Sequence, residues 1–385
     1  MKKKKIIILS AVNALLITLI VVSLFTIRNY RRELQSQQAS EFWRGKSEER
    51  FSQVSCFFPE SAAISENKIL TFRGLIDTKL TDAGVKLPKE HSLWTDAYSA
   101  AETLEVTGER GTAKATAIGI GGNYFMFHPY ELLSGSYLYD TDVMKDRVVL
   151  DYDLAWKLFG SSSLYGMYVK IGGKPYYVAG VIKRESDKFT DKAFSGEPVI
   201  FMSYTAFSAE TTAPAKDNTA ASDGASNIAC YEICMPDPIS KFAATLVKEN
   251  LAADNGGIIV ENSGRYGFER IVKLFTNFGD RSISNTGVEY PYWENAARVS
   301  EVYIARLYVV IALLAVFPLG CIIWLLVLLI KFLRPKLKKA KAEAAYAWDD
   351  RYARMDQLKK RRQKHGGRHT RGRHGINTVI NEEDE

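Results

Sequence analysis

The chain has 385 residues, 46% hydrophobic and 25% charged, a balance ordinary for a folded protein. Its net charge of +7 sits at the ends: residues 331–385 hold 16 Lys/Arg against 8 Asp/Glu, residues 1–5 hold four lysines, and 6–330 is left at −5. That distribution argues against a nucleic-acid-binding protein, since no basic face on the folded part is needed to explain the charge. It fits basic segments flanking apolar spans on the cytoplasmic side of a membrane.

In chain order, residues 1–5 (MKKKK) read as a cytoplasmic N-terminus and 6–27 as a first transmembrane helix. The run is longer than a signal-peptide core and shows no small-x-small cleavage site, so it reads as an uncleaved anchor. Arg28, Arg31 and Arg32 follow it and run against the orientation signal of the four lysines. Residues 28–58 read as a helical stalk continuing that anchor, because Phe51, Val54 and Phe58 recur at helical spacing and Pro59 ends the segment.

Residues 59–290 read as an extracytoplasmic core domain. Ser61–Leu80 shows no clean period, and Leu93–Val106 is ambiguous between helix and strand. Ala113–Gly122 reads as a strand, and Asn123–Gly135 as a loop or short aromatic-rich helix. Arg147–Asp151 is a buried strand, followed by a helix that Asp151 caps and Gly160 ends. Met167–Ile171 and Pro175–Ile182 form a hairpin, and PVIFM another strand. Residues 208–227 read as an exposed loop, and Ile228–Met235 as a strand. Asp237 and Pro238 open a helix burying Ile239, Phe242, Ala243, Leu246 and Val247. Gly257–Glu261 is a strand. A helix over 264–278 buries Phe268, Ile271, Val272, Phe275 and Phe278.

Residues 291–306 read as a second stalk helix running into a second transmembrane helix at 307–330, which is 24 residues without a charge. Together they would make one helix about 60 Å long. Residues 331–385 are a basic cytoplasmic tail whose first turns can sit on anionic membrane lipid. HGGRHTRGRHG within it reads as flexible. The fold class is therefore an α+β extracytoplasmic domain, in two subdomains, on a helical stalk anchored by two transmembrane helices.

Chemistry-bearing motifs are few. No GxxxxGK[ST], GxSxG or HExxH occurs. Gly119-Ile120-Gly121-Gly122 lacks the offsets of a nucleotide loop and reads as close strand packing. His91 and His128 have no Cys or His neighbour, and His365, His369 and His374 lie in a solvated basic linker. No catalytic, cofactor-binding or metal residue is assigned, no cofactor is expected, and the chain does not read as an enzyme. Cys230 and Cys234 lie about 13 Å apart on one face of a strand and cannot pair with each other, whereas Cys56 could pair with either. Arg265, Tyr266, Tyr290, Tyr292 and Trp293 fall near the joint of domain and stalk, where they either transmit movement or simply pack as an interfacial aromatic belt. Glu294, Arg298 and Glu301 read as a solvated face of ion pairs unless another helix covers them.

One stretch resembles a known family. Tyr124-Phe125, Leu132–Gly135, Val148–Leu150, Leu154-Ala155, Leu158–Gly160, Gly166 and Tyr176–Val181 match in order and spacing the MacB-like periplasmic core domain of ABC transporter permeases. The resemblance implies a non-catalytic membrane component of a MacB/FtsX-type complex, whose outer domain binds partner or cargo and moves with the membrane helices. It implies an ABC-type ATPase and a fuller FtsX-like permease as partners, because family permeases carry four membrane helices and only two spans are legible here. A stand-alone membrane-anchored sensor or surface-binding protein, signalling through the basic tail, is the alternative.

Overall fold

The computed structural model describes residues 2–86, 88, 91–194, 196–211, 227–276 and 288–366. The chain divides into two compact units, Met1–Leu19 with Leu313–Glu385, and Ile20–Ala312. Helix α1 (Lys2–Glu33) leads to a short α2 (Ala39–Arg44), strand β1 (Phe51–Phe57) and α3 (Glu66–Asp82). A long antiparallel pair follows, β2 (Thr95–Gly108) and β3 (Gly111–Gly122), then α4 (Tyr124–Phe127), β4 (Glu131–Gly135), β5 (Arg147–Asp151) and α5 (Tyr152–Phe159). The hairpin is β6 (Tyr168–Ile171) and β7 (Lys174–Lys183), succeeded by α6 (Thr190–Ala193), β8 (Val199–Ser203) and α7 (Tyr204–Thr211). Then come β9 (Cys230–Pro236), α8 (Phe242–Val247), β10 (Ile258–Glu261), α9 (Phe268–Thr276) and α10 (Tyr292–Gly366).

The ten described strands form one mixed sheet, ordered β10-β1-β9-β2-β3-β8-β5-β7-β4, with β6 beside β2 and β7. The expected mixture of helix and strand is present, but a division into two subdomains is not confirmed. Side-chain alternation gives the sheet two different faces. On one, Tyr231, Ile233 and Met235 of β9 pack in a core with Phe72 and Ile76 of α3 and Leu154 and Leu158 of α5. On the other, Cys230 and Cys234 join Phe201 of β8, Tyr124 and Phe127 of α4, and Trp293 of α10.

The same alternation settles the cysteines. Cys56 stands opposite Tyr231 and points into the first core, away from Cys230 and Cys234. Neither pairing that the sequence left open is made: all four cysteines are free. Burial pushes the Cys56 thiol up to about 12.

Several sequence expectations hold at the residue level. The Asp151 side chain accepts from Leu154 N at 2.7 Å and caps α5, and Gly160 ends it at φ +73°. The stretch before Leu80, read without a clean period, by contrast contains helix α3, which buries Ile69, Phe72, Ile76 and Leu80 at helical spacing. Helix α10 runs unbroken from the stalk residues through the second apolar run and on to Gly366, with Pro318 and Pro335 inside it.

Others are corrected. Residues 28–58 are not one helical stalk: α1 stops at Glu33 and Phe51–Phe57 is a strand, buried on both faces, so its sequence shows no alternation. The helix expected from Pro238 begins only at Phe242, after Lys241 at φ +69°, and Ile239 is exposed. Asp237 still accepts from Ala243 N at 3.2 Å. In α9 Ile271 is buried, but Phe268 and Val272 are exposed. The Phe275 side chain, Phe278, most of the 208–227 loop and the HGGRHTRGRHG segment beyond its first residues lie outside the described residues.

Two helices are long and apolar enough to cross a membrane, Lys4–Glu33 and Tyr292–Arg362. Within the terminal unit, Asn13 Nδ2 donates to Leu9 O at 3.0 Å and to Cys321 Sγ at 3.4 Å. The one polar amide in this part of the first run is therefore satisfied inside the pair of helices, as a lipid environment demands.

The Gly119–Gly122 stretch is close packing, as expected. A Cβ on Gly119 would stand 2.4 Å from Phe207 Cγ of α7. Gly119→Ala should lower stability by about 1–3 kcal/mol, read as a fall in the denaturation midpoint.

Candidate functional site

The most tightly built polar site lies where the turn after β10, the turn after α1 and the start of α10 meet. Arg265 is 4% exposed. Its Nη1 and Nη2 make a two-pronged pair with Glu294 at 2.6 and 2.7 Å, and its Nε donates to Glu301 Oε1 at 2.6 Å. Nη1 also reaches Gln37 Oε1 at 3.0 Å. Arg298 Nε donates to Glu294 Oε1 at 2.8 Å and stacks its guanidinium 3.5 Å over the Tyr290 ring. Two guanidiniums thus balance two carboxylates, and the planar fork of arginine fixes the register of three chain segments.

Glu294 and Glu301 are 1% and 5% exposed, which corrects the expectation of a solvated face. The turn carrying Arg265 is part of the cover. Burial disfavours both ionised partners. The opposing charges prevail, holding the Glu294 carboxyl below its usual range and the Arg265 guanidinium well above its own. Tyr266, next in the turn, accepts from Ser300 Oγ at 3.0 Å, and its carbonyl accepts from Arg31 at 2.5 Å.

A line of buried polar groups runs from this cluster across the sheet. Asn262 Nδ2 donates to Ser55 Oγ at 2.7 Å, Ser55 to Glu232 Oε1 at 2.9 Å, and Glu232 Oε2 meets His128 Nε2 at 2.6 Å. His128 lies against Trp293, ring centroids 4.5 Å apart, one residue before Glu294. His91, by contrast, is exposed and takes no part. The side chains of His365, His369 and His374 are outside the description.

Trp293 and Tyr292 also wall a cavity of about 460 Å³ on the second face of the sheet. Its floor is made of short side chains, Ser99, Thr116 and Cys230, and Phe194 closes another side. The volume lies within the range of small-ligand sites. Among the described residues no group of three or more His, Cys, Asp or Glu side chains converges to hold a metal.

The family model for the MacB-like periplasmic core domain matches residues 10–229, more than half of the chain. The chain belongs to that family. Similar solved structures include the extracellular domain of YknZ, a noncanonical ABC-type transporter from Gram-positive bacteria, at 18% identity, 54% of this chain, 98% of that one and TM-score 0.37. The periplasmic region of MacB from Actinobacillus actinomycetemcomitans is similar at 16% identity over 58% of this chain and 92% of that one, TM-score 0.38. No curated protein matches. Family and apolar helices together make this a membrane protein with an extracytoplasmic domain.

The residues that signalled the MacB-like family are structural. Tyr124, Leu150, Leu154, Leu158 and Val181 are core, and Gly135 turns at φ +76° where a Cβ would meet the Ala179 carbonyl at 2.0 Å. Arg265, Glu294, Arg298 and Glu301 lie outside the matched residues, and Gln37 lies within them. Sequence reading singled out Arg265, Glu294, Arg298 and Glu301 but not Gln37, Asn262 or Ser55. Those short polar residues carry no spacing signal, and only the fold brings them together.

Arg265→Met removes the guanidinium that pairs with both Glu294 and Glu301 and should cost about 3–5 kcal/mol, with Glu294→Gln and Glu301→Gln in the same chain recovering part of it in a thermal melt. The pH dependence has a definite sign. A carboxyl held below 4.5 in the folded state contributes stability above its unfolded value and loses it as pH falls through the folded one. Melting temperature should therefore drop below about pH 4.5, and less steeply in Glu294→Gln.

Proposed function

We propose that this chain is a non-catalytic component of an ABC-transporter-type, MacB/FtsX-like complex, in which the extracytoplasmic domain binds a partner or cargo and couples to the membrane helices. Family membership supports the setting, and the Arg265 cluster is the observation that carries the coupling. It ties the end of α1, the sheet through β10 and the first three turns of α10 into one registered joint. The cavity walled by Tyr292 and Trp293 supplies a place for binding beside that joint.

In this reading residues 6–27 and 307–330 cross the cytoplasmic membrane, both termini are cytoplasmic and the domain between them is outside. The partners are an ABC-type ATPase and a fuller FtsX-like permease subunit, since this chain has no P-loop of its own. The basic residues after Ile330 contact anionic lipid. The mechanism is mechanical: nucleotide-driven closure in the cytoplasm moves membrane helices, and the joint passes that movement to the sheet.

Affinity purification from native membranes should recover an ATPase and a longer permease with the wild-type chain. Recovery of the chain alone, with neither partner after mild crosslinking, would sink this reading and favour the stand-alone sensor.

A further inference from the structure

Helix α9 is amphipathic in an unusual way: its apolar arc is split between protein and open surface. Ile271, buried, and Leu274, partly buried, pack in a cluster with Ile27, Ile304, Leu307 and Ile311. Ile27 closes the first charge-free run, and Leu307 opens the second. That edge of α9 therefore sits at the level where both helices become purely apolar. At 100° per residue, Phe268 and Val272 occupy the adjoining edge. They are 64% and 43% exposed, and the Phe268 ring lies 5.4 Å from that of Tyr308. Glu269 and Lys273, paired at 2.9 Å, hold the opposite, polar side.

The surroundings at this level are those of a membrane–water boundary. Tyr30 and Tyr303 stand here, with Lys188 Nζ 4.2 Å and Lys192 Nζ 4.7 Å above the Tyr303 ring. Arg28, Arg32 and Arg306 are exposed nearby in sequence to these tyrosines. Tyrosine rings with basic side chains beside them are the composition favoured at the headgroup level of a bilayer.

We propose that α9 is an interfacial helix, seated in the outer leaflet of the membrane with Phe268 and Val272 in the acyl boundary and Glu269 and Lys273 toward water. The occupant is a lipid surface, because the exposed edge continues the apolar surface of the first turns of the second span. A soluble partner would have to cover a patch that abuts lipid. Arg28, Arg31 and Arg32, which run against the orientation signal in the sequence, then serve as headgroup anchors. Arg31 meanwhile donates to Tyr308 OH at 2.9 Å.

This inference rests on the two runs being membrane spans, and the test separates the two claims. The full chain with Cys321→Ala, its other three thiols being buried, is given single cysteines by Phe268→Cys, Val272→Cys, Glu269→Cys and Leu313→Cys. Each is labelled with an environment-sensitive nitrobenzoxadiazole dye in nanodiscs. Nitroxide-bearing phospholipids and aqueous iodide are the two quenchers. Labels at 268 and 272 should be quenched several-fold more by nitroxide lipid than the label at 269, and shielded several-fold from iodide. Equal behaviour of 268, 272 and 269 overturns the inference. So does shielding of 268 and 272 from iodide without lipid quenching, which assigns the patch to protein. A Leu313 label that escapes lipid quenching overturns the spans themselves.

Discussion

The attachment of α10 to the rest of the domain depends on keeping Arg265 charged while almost wholly buried. A guanidinium so deeply buried is tolerable only if its donors and its charge are both met. Each of its three nitrogens has a partner, and the partners come from three separate stretches: Gln37 after α1, Asn262 beside β10, and Glu294 and Glu301 on α10. Gln53 of β1 extends the tie, donating to Ser36 O at 2.7 Å and accepting from Ala39 N at 3.0 Å. The turn that leaves α1 and strand β1 of the sheet are thus hydrogen-bonded to each other. Moving α10 by a residue would separate opposite charges, and moving the segment after α1 would break a hydrogen bond to the guanidinium.

That requirement suits a joint better than it suits a core. A buried ion cluster adds little over an apolar patch of the same size, since desolvation offsets most of the attraction. An apolar patch, however, tolerates sliding, and a two-pronged pair does not. The cluster therefore specifies one geometry sharply, which is what the proposed coupling requires. It also shares its turn of α10 with the cavity wall: Trp293 lies against His128 and Glu294 against Arg265. A group seated in the cavity would touch the turn that holds the joint.

Much of this was legible in the sequence because local signals were strong. Asp151 and Gly160 bracket α5 by cap chemistry alone, and Gly172-Gly173 turn the hairpin. β1 was misread for a physical reason. Gln53 and Ser55 are polar yet buried in the network, so the strand is covered on both faces and loses its alternation. Phe51, Val54 and Phe58 then mimic a helical stripe. The same blindness hid the joint. Glu294, Arg298 and Glu301 have the spacing of surface ion pairs, and nothing local announces that a turn about thirty residues earlier will cover them. The exposed Phe268 and Val272 misled in the opposite sense, since periodicity identifies an apolar face but not whether protein or lipid lies against it.

The division between what the family match covers and what it omits follows the same line. Residues 10–229 supply α1 from its third turn and the sheet through β8, with the aromatic and glycine positions that fix strand packing. Residues 230–306 supply β9, β10, α9 and the stalk turns of α10, and with them every carboxylate around Arg265. β9 enters the middle of a sheet whose other central strands were laid down earlier in the chain, between β1 and β2. Its Glu232 brings the polar line from His128 to the joint. The later segment thus completes the core and sets its attachment to α10 in a single pass. A substitution that loosens the sheet at β9 must therefore also loosen the joint, because Tyr231 and Glu232 are neighbours on opposite faces of one strand.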